Sequence, residues 1–310
     1  MHDVIPVLEI GGTHTTTALV RPGEWRVIPG SMTGVGLRSN GSAEEILSDI
    51  AAAGRALSDR PGAQWAVAIP GPFDYERGIA LFEHVGKFDS LHGLNIRDEL
   101  IRRLSPAAAS VEFLNDADAF GVGEYAAGSA AGYGRAVCIT SGTGVGSAFL
   151  VEGVPQGSGT GVPPNGNIHV VVHRGRTLEE IVSRRAIRKL YADAVDAADA
   201  TEGRAPDVRE IAQRSRAGDD VAAAVLSTAF RGLGEAIAPY LESFQADVLV
   251  VGGSMARSWD LLEPPLREGL AGARPSLATL SIQRSARPEE SALIGAAYWA
   301  SRRLSHATRA

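Results

Sequence analysis

The sequence of 310 residues is poor in cysteine and in lysine. Its single cysteine, Cys138, lies inside an apolar run, which excludes an internal disulfide framework and favours a reducing compartment. Only Lys87 and Lys189 are lysines, and this scarcity by itself carries no functional implication. The formal net charge is −6 and no basic block or arginine-rich arm is present. A nucleic-acid partner is therefore disfavoured.

Long apolar runs and a leader segment are also missing. No apolar run approaches ~20 residues, so we expect no membrane partner. The first residues show no charged segment followed by an apolar one, so we expect no signal peptide. A cytoplasmic location follows as the default expectation.

Glycine, in contrast, is abundant, with 36 of 310 residues. Two Gly/Thr turns each directly follow an apolar β-like run, at residues 7–15 (VLEIGGTHT) and 137–146 (VCITSGTGVG). Glycines would let the backbone turn sharply and present successive N–H groups, and such nests bind anions. We interpret the pair as a polyphosphate site formed by Gly11, Gly12, Thr13 and His14 and by Gly142, Thr143 and Gly144.

An acidic junction lies between the two turns. Residues 114–119 (LNDADA) place Asp116 where a predicted strand passes into a predicted helix. Two phosphate-binding turns with one carboxylate between them suggest phosphoryl transfer from a nucleotide to a small acceptor. Asp116 taken alone could instead cap the helix, because Asp is a good N-cap residue. We expect Asp118, two residues later, to point away towards solvent or a cap.

Hydrophobic patterning predicts an α/β protein of two domains that face a cleft. The unit of a hairpin with a Gly turn occurs twice, starting near residues 4 and 136, which indicates a weak internal duplication. We expect a smaller domain over 1–114 plus 290–310 and a larger one over 115–289. The patterning also predicts a helix over 178–198, a strand over 277–283 and a functional loop over 155–166.

At these residues the chain resembles the ROK (repressor–ORF–kinase) family of sugar kinases, within the actin-like ATPase superfamily. The resemblance covers nearly the whole length, with six motifs in the family's order. They are residues 9–13 (EIGGT), 70–72 (PGP), 114–117 (LNDA), 141–146 (SGTGVG), 250–254 (VVGGS) and 292–297 (ALIGAA). The resemblance implies a two-domain fold with a cleft, ATP as phosphoryl donor and Asp116 as general base towards the 6-hydroxyl of a sugar.

The same resemblance implies further site residues. The adenosine side would be held by Gly252, Gly253 and Ser254. Glu9 would hold magnesium, mainly through water, because hard cations prefer oxygen ligands. The acceptor candidates besides Asp116 are Gly71, Asn115, Asn167, His169 and Glu179. Glu179 could instead be a solvated residue at a helix start, and His169 could be an ordinary core or surface histidine.

The chain departs from the family pattern in four places. Glu9 stands where the family usually has Asp. The family's Cys-x-Cys-Gly-x-x-Gly-Cys zinc motif is absent, so we expect no zinc. Residues 166–169 (GNIH) are one residue short and lack the family's Glu, and residues 84–88 (HVGKF) replace its Asn-Leu pair. Ion pairs could replace zinc in bracing the acceptor-side loop, with candidates Arg174, Arg176, Glu179 and Glu180.

The sequence therefore predicts an ATP-dependent kinase for a hexose or amino sugar, a small-molecule acceptor, with a possible homodimer. One alternative is a kinase for a different modified sugar or a polyol, since three departures fall on the acceptor side. Another is a non-catalytic sugar-sensing member of the family. Repressors of the family carry an N-terminal helix-turn-helix, and a first strand starting by Val4 leaves no room for one.

Overall fold

The computed structural model describes residues 4–57, 61–195 and 206–307, the last four of these without their side chains. The chain divides into two compact units. The first comprises residues 1–128 with 289–310, and the second comprises residues 129–288.

The strands are numbered in chain order. They are β1 Ile5–Ile10, β2 His14–Arg21, β3 Arg26–Val27, β4 Thr33–Gly36, β5 Ala63–Ile69, β6 Phe73–Asp74, β7 Ile79–Ala80, β8 Ala108–Asn115, β9 Arg135–Ser141, β10 Val145–Val151, β11 Val154–Pro155, β12 Val172–His173, β13 Arg176–Thr177, β14 Val248–Gly252 and β15 Ser281–Arg284.

The α-helices are numbered in the same way. They are α1 Ala43–Leu57, α2 Ile96–Leu104, α3 Asp116–Ala127, α4 Glu179–Val182, α5 Arg184–Ala194, α6 Val208–Arg216, α7 Asp220–Phe244, α8 Trp259–Ala273 and α9 Ser291–Ala307.

The first unit is built on a mixed sheet of order β3-β2-β1-β5-β8, with β4 also paired to β2. The hairpin of β1 and β2 is antiparallel, and β1, β5 and β8 run parallel. Strand β5 is buried along its whole length, as expected for a central parallel strand covered on both faces. Trp65 in β5 is fully buried in the core between the sheet and helices α1 and α2.

The second unit repeats this arrangement. Its sheet has the order β11-β10-β9-β14-β15, in which β9 and β10 form an antiparallel hairpin and β9, β14 and β15 run parallel. The predicted repeat of a hairpin with a Gly turn is therefore present in both sheets. Helices α5 to α8 supply most of the apolar core beside this sheet.

Glycines allow one pair of helices in each unit to approach closely. A Cβ on Gly295 of α9 would lie 1.8 Å from the Ala119 carbonyl oxygen of α3. In the second unit, a Cβ on Gly269 of α8 would lie 2.2 Å from the Arg231 carbonyl oxygen of α7. Helix α3 therefore belongs with α9 in the first unit, so the boundary falls after Gly128 rather than at residue 114.

Two predicted elements differ in the structure. The helix expected over 178–198 is split into α4 and α5, because Ser183 has an extended backbone and caps α5 by accepting a hydrogen bond from the Ala186 N–H. Residues 196–198 lie outside the described part of the chain. The strand expected over 277–283 is confined to β15, since a 3-10 turn occupies Pro275–Leu277.

Helix α7 qualifies the expectation that no segment could cross a membrane. Judged by length and composition alone, this helix of 25 residues is long and apolar enough to cross a membrane. More than half of its apolar window is buried inside the protein, and Gly234 lies against the backbone of α8. The helix therefore has the character of a core helix of the second unit.

Candidate active site

The carboxyl ends of β1, β5 and β8 bring several predicted site residues to one edge of the first sheet. Glu9 pairs with Ala68 across β1 and β5, and Ile69 pairs with Asn115 across β5 and β8. Because these three strands are parallel and adjacent, Glu9, Gly71 and Asp116 all lie near this edge. The sequence motifs that carry them are separated by up to a hundred residues, and the sheet topology joins them.

Asn115, rather than Asp116, caps helix α3. Its Oδ1 accepts hydrogen bonds from the N–H groups of Ala117 and Asp118 at 2.9 and 3.2 Å. Its Nδ2 donates to the Tyr75 hydroxyl at 2.9 Å. Asn115 is thus the N-cap residue, and Asp116 on the first turn of the helix also accepts the Ala117 N–H, through its Oδ1 at 2.9 Å. Asn115 is an acceptor candidate whose amide is already engaged within the first unit.

Tyr75 links two parts of this edge. Its hydroxyl donates to the Ile69 carbonyl at 3.3 Å and accepts from Asn115. A Cβ on Gly71 would lie 3.3 Å from the same hydroxyl, so a side chain there would press on Tyr75. Burial raises the pKa of Tyr75, and it is therefore a neutral phenol that fixes the turn and the helix cap relative to each other.

Three carboxylates form an electrostatically coupled set at this edge. Burial, followed by the negative charge of Asp116, raises the pKa of Glu9 to about 7 and the pKa of Asp118 to about 7. Burial also raises the pKa of Asp116, although the Ala117 N–H and the Lys87 ammonium lower it in part. The Asp118 side chain is half-buried, so it is not fully turned into solvent, which was one of the two orientations expected for it.

The first Gly turn connects β1 to β2. The Gly11 N–H donates to the His14 carbonyl at 2.9 Å and closes the turn, and the exposed His14 ring lies 3.2 Å from the Thr13 hydroxyl. Gly11 and Gly12 do not adopt a left-handed backbone, so conformational freedom is not what requires glycine here. Gly12 matters because its missing side chain leaves space for a neighbour.

That neighbour is Lys87. Its Cδ lies 3.4 Å and its Nζ 3.8 Å from the position that a Cβ on Gly12 would take. The Ser39 hydroxyl donates to the Gly12 carbonyl, and the Ser39 carbonyl accepts from the Phe88 N–H at 2.7 Å. Ser39 thus ties the Lys87 segment to the first Gly turn.

The second Gly turn lies against the turn that follows β14 in the same unit. Strands β9 and β14 are parallel, with Thr140 paired to Gly252. Gly253 has φ of 79°, and a Cβ there would lie 2.4 Å from the Ser141 carbonyl oxygen, so only glycine fits. A Cβ on Gly142 would lie 3.2 Å from the Ser254 hydroxyl. The two sequence motifs therefore form one continuous surface.

Glu179 is directed at the second Gly turn. It begins α4, its Oε2 accepts the Val145 N–H at 3.0 Å, and its carboxylate lies about 3.5 Å from the Cβ position of Gly144. The Gly142 N–H donates to the Gly144 carbonyl, and the Gly142 carbonyl accepts from the Arg184 N–H. The turn is thus held by its own backbone and by helices α4 and α5.

The other acceptor candidates of the second unit lie on consecutive 3-10 turns. Asn167 follows the turn at Pro164–Gly166, and His169 is central in the turn at Ile168–Val170; both side chains are half-buried. The Ser147 hydroxyl on β10 donates to the Gly166 carbonyl and accepts from the Ile168 N–H at 3.0 Å. Ser147 therefore fixes the backbone that carries both candidates.

The loop over 155–166 is anchored at one point. Gly161 has φ of 74°, and a Cβ there would lie 2.1 Å from the Phe244 nitrogen at the end of α7. This close approach of the two backbones holds the middle of the loop against the end of α7.

A cavity of about 540 Å³ lies within the second unit, next to the turns. Thr143, Ser254 and Met255 line it from the turns, and Leu226 and Phe230 of α7 give it an apolar wall. Four arginines also line it, namely Arg184, Arg209, Arg216 and Arg257. Apolar walls with guanidinium groups suit a flat aromatic group that carries phosphates.

The segment that lacks the zinc motif forms the hairpin of β12 and β13. Arg174 and Gly175 turn it, with φ of 49° and 79°. Glu235 of α7 forms an ion pair with Arg174 at 2.8 Å and a hydrogen bond with His173 at 3.0 Å. A capping box follows, in which the Glu180 carboxylate accepts the Thr177 N–H and the Glu180 N–H donates to the Thr177 hydroxyl.

Of the four candidates for bracing, Arg174 binds Glu235, and Arg176 donates to the Glu180 carbonyl. Glu180 forms the capping box, while Glu179 faces the second Gly turn. Within the described residues, Arg174 is therefore the one candidate of the four that forms an ion pair, and its partner is Glu235 rather than Glu179 or Glu180. The patterning gave no signal for Glu235, which lies sixty residues along the chain.

Sequence reasoning missed Lys87, Tyr75, Ser39 and the arginines of the cavity as site residues. A signal existed for Lys87, since it lies in the segment that replaces the family's Asn-Leu pair. Among the side chains of residues 4–57, 61–195 and 206–303, no three His, Cys, Asp or Glu are grouped to hold a metal ion.

Comparison with known proteins agrees with this architecture. The sequence matches the ROK family over residues 7–303. It is 29% identical to a glucokinase of Thermotoga maritima, over 94% of this chain and 95% of that one. It is 26% identical to an N-acetylmannosamine kinase of Haemophilus influenzae, over 94% and 93%.

Among solved structures, a ROK family glucokinase from Streptomyces griseus in complex with glucose and AMPPNP has a TM-score of 0.75 at 23% identity, over 96% of this chain and 99% of that one. This likeness shows the fold, a mixed α/β fold of the actin-like ATPase type, as the sequence predicted. The family match extends over almost the whole chain, and the protein is a member of the ROK family.

Proposed function

We propose that this protein is an ATP-dependent sugar kinase that phosphorylates the 6-hydroxyl of a hexose or amino sugar, with Asp116 as the general base. The observation that carries the proposal is that Asn115 and Asp116 have different roles at the start of α3. Asn115 is the N-cap residue, and Asp116 shares only the Ala117 N–H, through its Oδ1 at 2.9 Å, so its carboxylate keeps the capacity to accept a proton. Its pKa is raised by burial, which makes its carboxylate a stronger base.

The reaction is a direct transfer. The acceptor oxygen attacks the terminal phosphorus of ATP, the bond to the β-phosphate oxygen breaks, and the acceptor's hydroxyl proton passes to Asp116. The protein contributes alignment and charge neutralisation more than covalent chemistry. In this proposal the residues of the Gly11–Thr13 turn and the Gly142–Gly144 turn bind phosphate oxygens, each from its own unit.

Magnesium fits this scheme as a hydrated ion. Glu9 would supply an oxygen ligand at the strand end, where burial and the negative charge of Asp116 raise its pKa to about 7. Such an ion would keep most of its water shell, because Mg²⁺ dehydrates reluctantly. When bound, such an ion would neutralise phosphate charge.

The cavity of the second unit is proposed to hold the adenosine part of ATP. Phe230 and Leu226 offer apolar contact for the base, and Ser254 and Thr143 offer hydroxyls. Arg184 is paired with Asp207 at 2.6 Å, and that ion pair lowers the pKa of Asp207. The pair would hold the rim of the cavity in place while leaving its remaining donors to the nucleotide.

The acceptor is the less defined part of the proposal. Asn167, His169 and Glu179 are proposed to contact sugar hydroxyls from the second unit, and Gly71 and Asn115 belong to the acceptor edge of the first. The relatives include a glucokinase and an N-acetylmannosamine kinase, which differ at the 2-position of the sugar. Because residues 166–169 are shortened, we propose a selectivity that differs from that of a typical glucokinase.

A different modified sugar or a polyol remains the alternative acceptor, for the same reason. The proposal also includes a cytoplasmic location and a homodimer.

The decisive experiment measures ADP release over glucose, its 2- and 3-amino analogues, mannose, N-acetylmannosamine and a set of polyols. We expect at least one sugar to be phosphorylated. Asp116→Asn should then lower kcat by ~10²–10⁴-fold while ATP and sugar still bind, because only the base is lost. Asp118→Asn is the matched control, and it should retain most of the activity. No ADP release with any acceptor, or equal kcat for Asp116→Asn and wild type, would overturn the proposal.

A further inference from the structure

The backbone and the buried neighbour of Lys87 determine the direction of its side chain. Lys87 follows Gly86, which has φ of 75°, and precedes Phe88, which has φ of 62°. The Phe88 ring is fully buried, 5.2 Å from the Phe82 ring. Its N–H donates to the Ser39 carbonyl. The buried aromatic ring on one side of Lys87 anchors the segment and turns the lysine side chain towards Gly12.

The ammonium of Lys87 meets the first Gly turn and the carboxylates at the same place. It lies 3.8 Å from the Cβ position of Gly12, and its charge acts on Asp116. The groups that face this charge are Asp116 and, coupled to it, Glu9 and Asp118. Within the described residues, no carboxylate lies within ion-pair distance of the Lys87 nitrogen, so the cation is not consumed by a salt bridge.

Arg38, another cation that starts beside this turn, is bound elsewhere. Arg38 follows Leu37, whose N–H donates to the Thr13 carbonyl, so it starts beside the same turn. Its guanidinium, however, is bound to Asp49 at 2.7 Å and to Glu45 at 3.0 Å. The Gly11 N–H does not offer a phosphate a free donor either, because it closes the turn by donating to the His14 carbonyl. A phosphate group at this turn therefore finds Lys87 as its cationic partner.

We propose that the Lys87 ammonium binds the terminal phosphoryl group of the nucleotide at the Gly11–Thr13 turn and stabilises the charge on its oxygens during transfer. This rests on the proposed kinase function. The phosphorus exchanges its bond to the β-phosphate oxygen for one to the acceptor oxygen, and the acceptor proton passes to Asp116. Lys87 stays protonated and forms no covalent bond. The positive charge of Lys87 also lowers the pKa of Asp116 in part, against the larger effect of burial.

The first test is kinetic, on the full-length protein. Lys87→Met keeps the length of the side chain and removes the charge, and we expect kcat to fall by ~10²–10³-fold with little change in KM for the sugar. Lys87→Arg should recover part of the loss, because it restores a cation. Lys189→Met is the matched control, since that lysine is exposed on α5 and paired with Asp193. It should leave kcat unchanged.

Different results would overturn the inference. A rise in KM for the sugar at constant kcat would make Lys87 an acceptor ligand, and a kcat within twofold of wild type would remove it from the site. A large fall in melting temperature for Lys87→Met would indicate a structural role.

A second test does not depend on turnover. In Lys189→Arg, Lys87 carries the only lysine amine, and acylation by an amine-reactive ester can be mapped by mass spectrometry. We expect AMPPNP to protect Lys87 strongly and ADP or sugar alone to protect it little. Equal protection by ADP and AMPPNP would overturn the inference. Protection by AMPPNP in a protein that phosphorylates no sugar would support the phosphate contact and refute the kinase proposal, so the two failures are distinguishable.

Discussion

The two Gly turns occupy equivalent places in two sheets of the same strand order, yet the charges beside them are opposite. The first turn has the Lys87 ammonium next to Gly12. The second has the Glu179 carboxylate next to Gly144, bonded to the Val145 N–H. In both units the hairpin and its parallel neighbours form the scaffold, and a segment outside the sheet supplies the charge. The repeat therefore fixes where a turn lies, and the added segments determine what it can bind.

The comparison extends to the way each unit packs its helices. Gly295 brings α9 against α3 in the first unit, and Gly269 brings α8 against α7 in the second. In both pairs the clashing atom would be a backbone carbonyl oxygen, which cannot move aside as a side chain can. Close backbone contact is thus a shared structural device, whereas charge is the point at which the units diverge.

Disrupting the close contact between α3 and α9 should have the largest effect on stability. Gly295→Ala places a methyl group 1.8 Å from the Ala119 carbonyl oxygen, so α3 and α9 must separate. We expect the free energy of unfolding to fall by about 3 kcal/mol, measured by urea denaturation. Because α3 carries Asp116, kcat should fall as well.

Gly272→Ala is the control for that prediction. Gly272 lies in α8, and a Cβ there meets no atom within 4 Å. Alanine should leave stability unchanged or raise it by ~0.5 kcal/mol, since it restricts the unfolded chain. If both substitutions destabilise the protein equally, close helix contact is not what requires Gly295.

Much of this fold could be predicted from the sequence, because the signals are local. Helices α2, α6 and α7 begin and end at the residues that their apolar periodicity indicates. The capping box of Ser42 and Glu45 marks the start of α1, as the two side chains bond each other's backbone N–H groups. The split between α4 and α5 was missed, because Ser183 caps a helix within a run that is otherwise periodic.

The site was predicted less completely, because charges come from segments with no periodicity. The six motifs located the turns and Asp116, since each follows a strand. Nothing in the spacing placed Lys87 on Gly12, because Ser39 and the buried Phe88 make that contact through tertiary structure. The cap at Asn115 was likewise invisible, since Asn and Asp at adjacent positions cap equally well.

Removing the negative charge from the second turn should sharpen the comparison. Glu179→Gln keeps an oxygen that can accept the Val145 N–H, so the turn should hold its shape. If the carboxylate also binds the acceptor, KM for the sugar should rise by about tenfold or kcat should fall, because hydrogen bonds to a charged group are strong. KM for ATP should not rise, since a lost negative charge cannot weaken phosphate binding. A silent substitution with glucose strongly preferred would refute the acceptor role.

The surplus of carboxylates in the first unit predicts a pH effect on stability. Burial raises the pKa of Asp118 from 3.8 to about 7. The unfolded chain therefore releases this proton before the folded protein does, and stability falls as pH rises between those values. Asp118→Asn removes the penalty. The variant should gain on the order of 1 kcal/mol over wild type at pH 8 and little at pH 4, measured by urea denaturation without magnesium. An equal gain at both values would contradict this.

The smallest effect should come from the hairpin of β12 and β13, which has no counterpart in the first unit. Glu235 binds Arg174, whose side chain is 76% exposed, so solvent screens the pair. Glu235→Gln should lower the free energy of unfolding by less than about 1 kcal/mol, and high salt should reduce the difference. Glu268→Gln is the matched control, since it removes the exposed α8 partner of Arg231, which lies on α7 as Glu235 does.

Glu235→Gln and Glu268→Gln should have similar melting temperatures. Metal analysis of the wild type should find no stoichiometric zinc. The Glu235→Gln variant should lose little stability, because the capping box of Thr177 and Glu180 and the hydrogen bonds of the hairpin remain. Arg174 is then free to turn into water at little cost. A loss of several kcal/mol confined to Glu235→Gln would mean that this single carboxylate braces the hairpin, in the place of a metal. One bound zinc per chain would instead mean that a ligand set outside the family's cysteine motif does so.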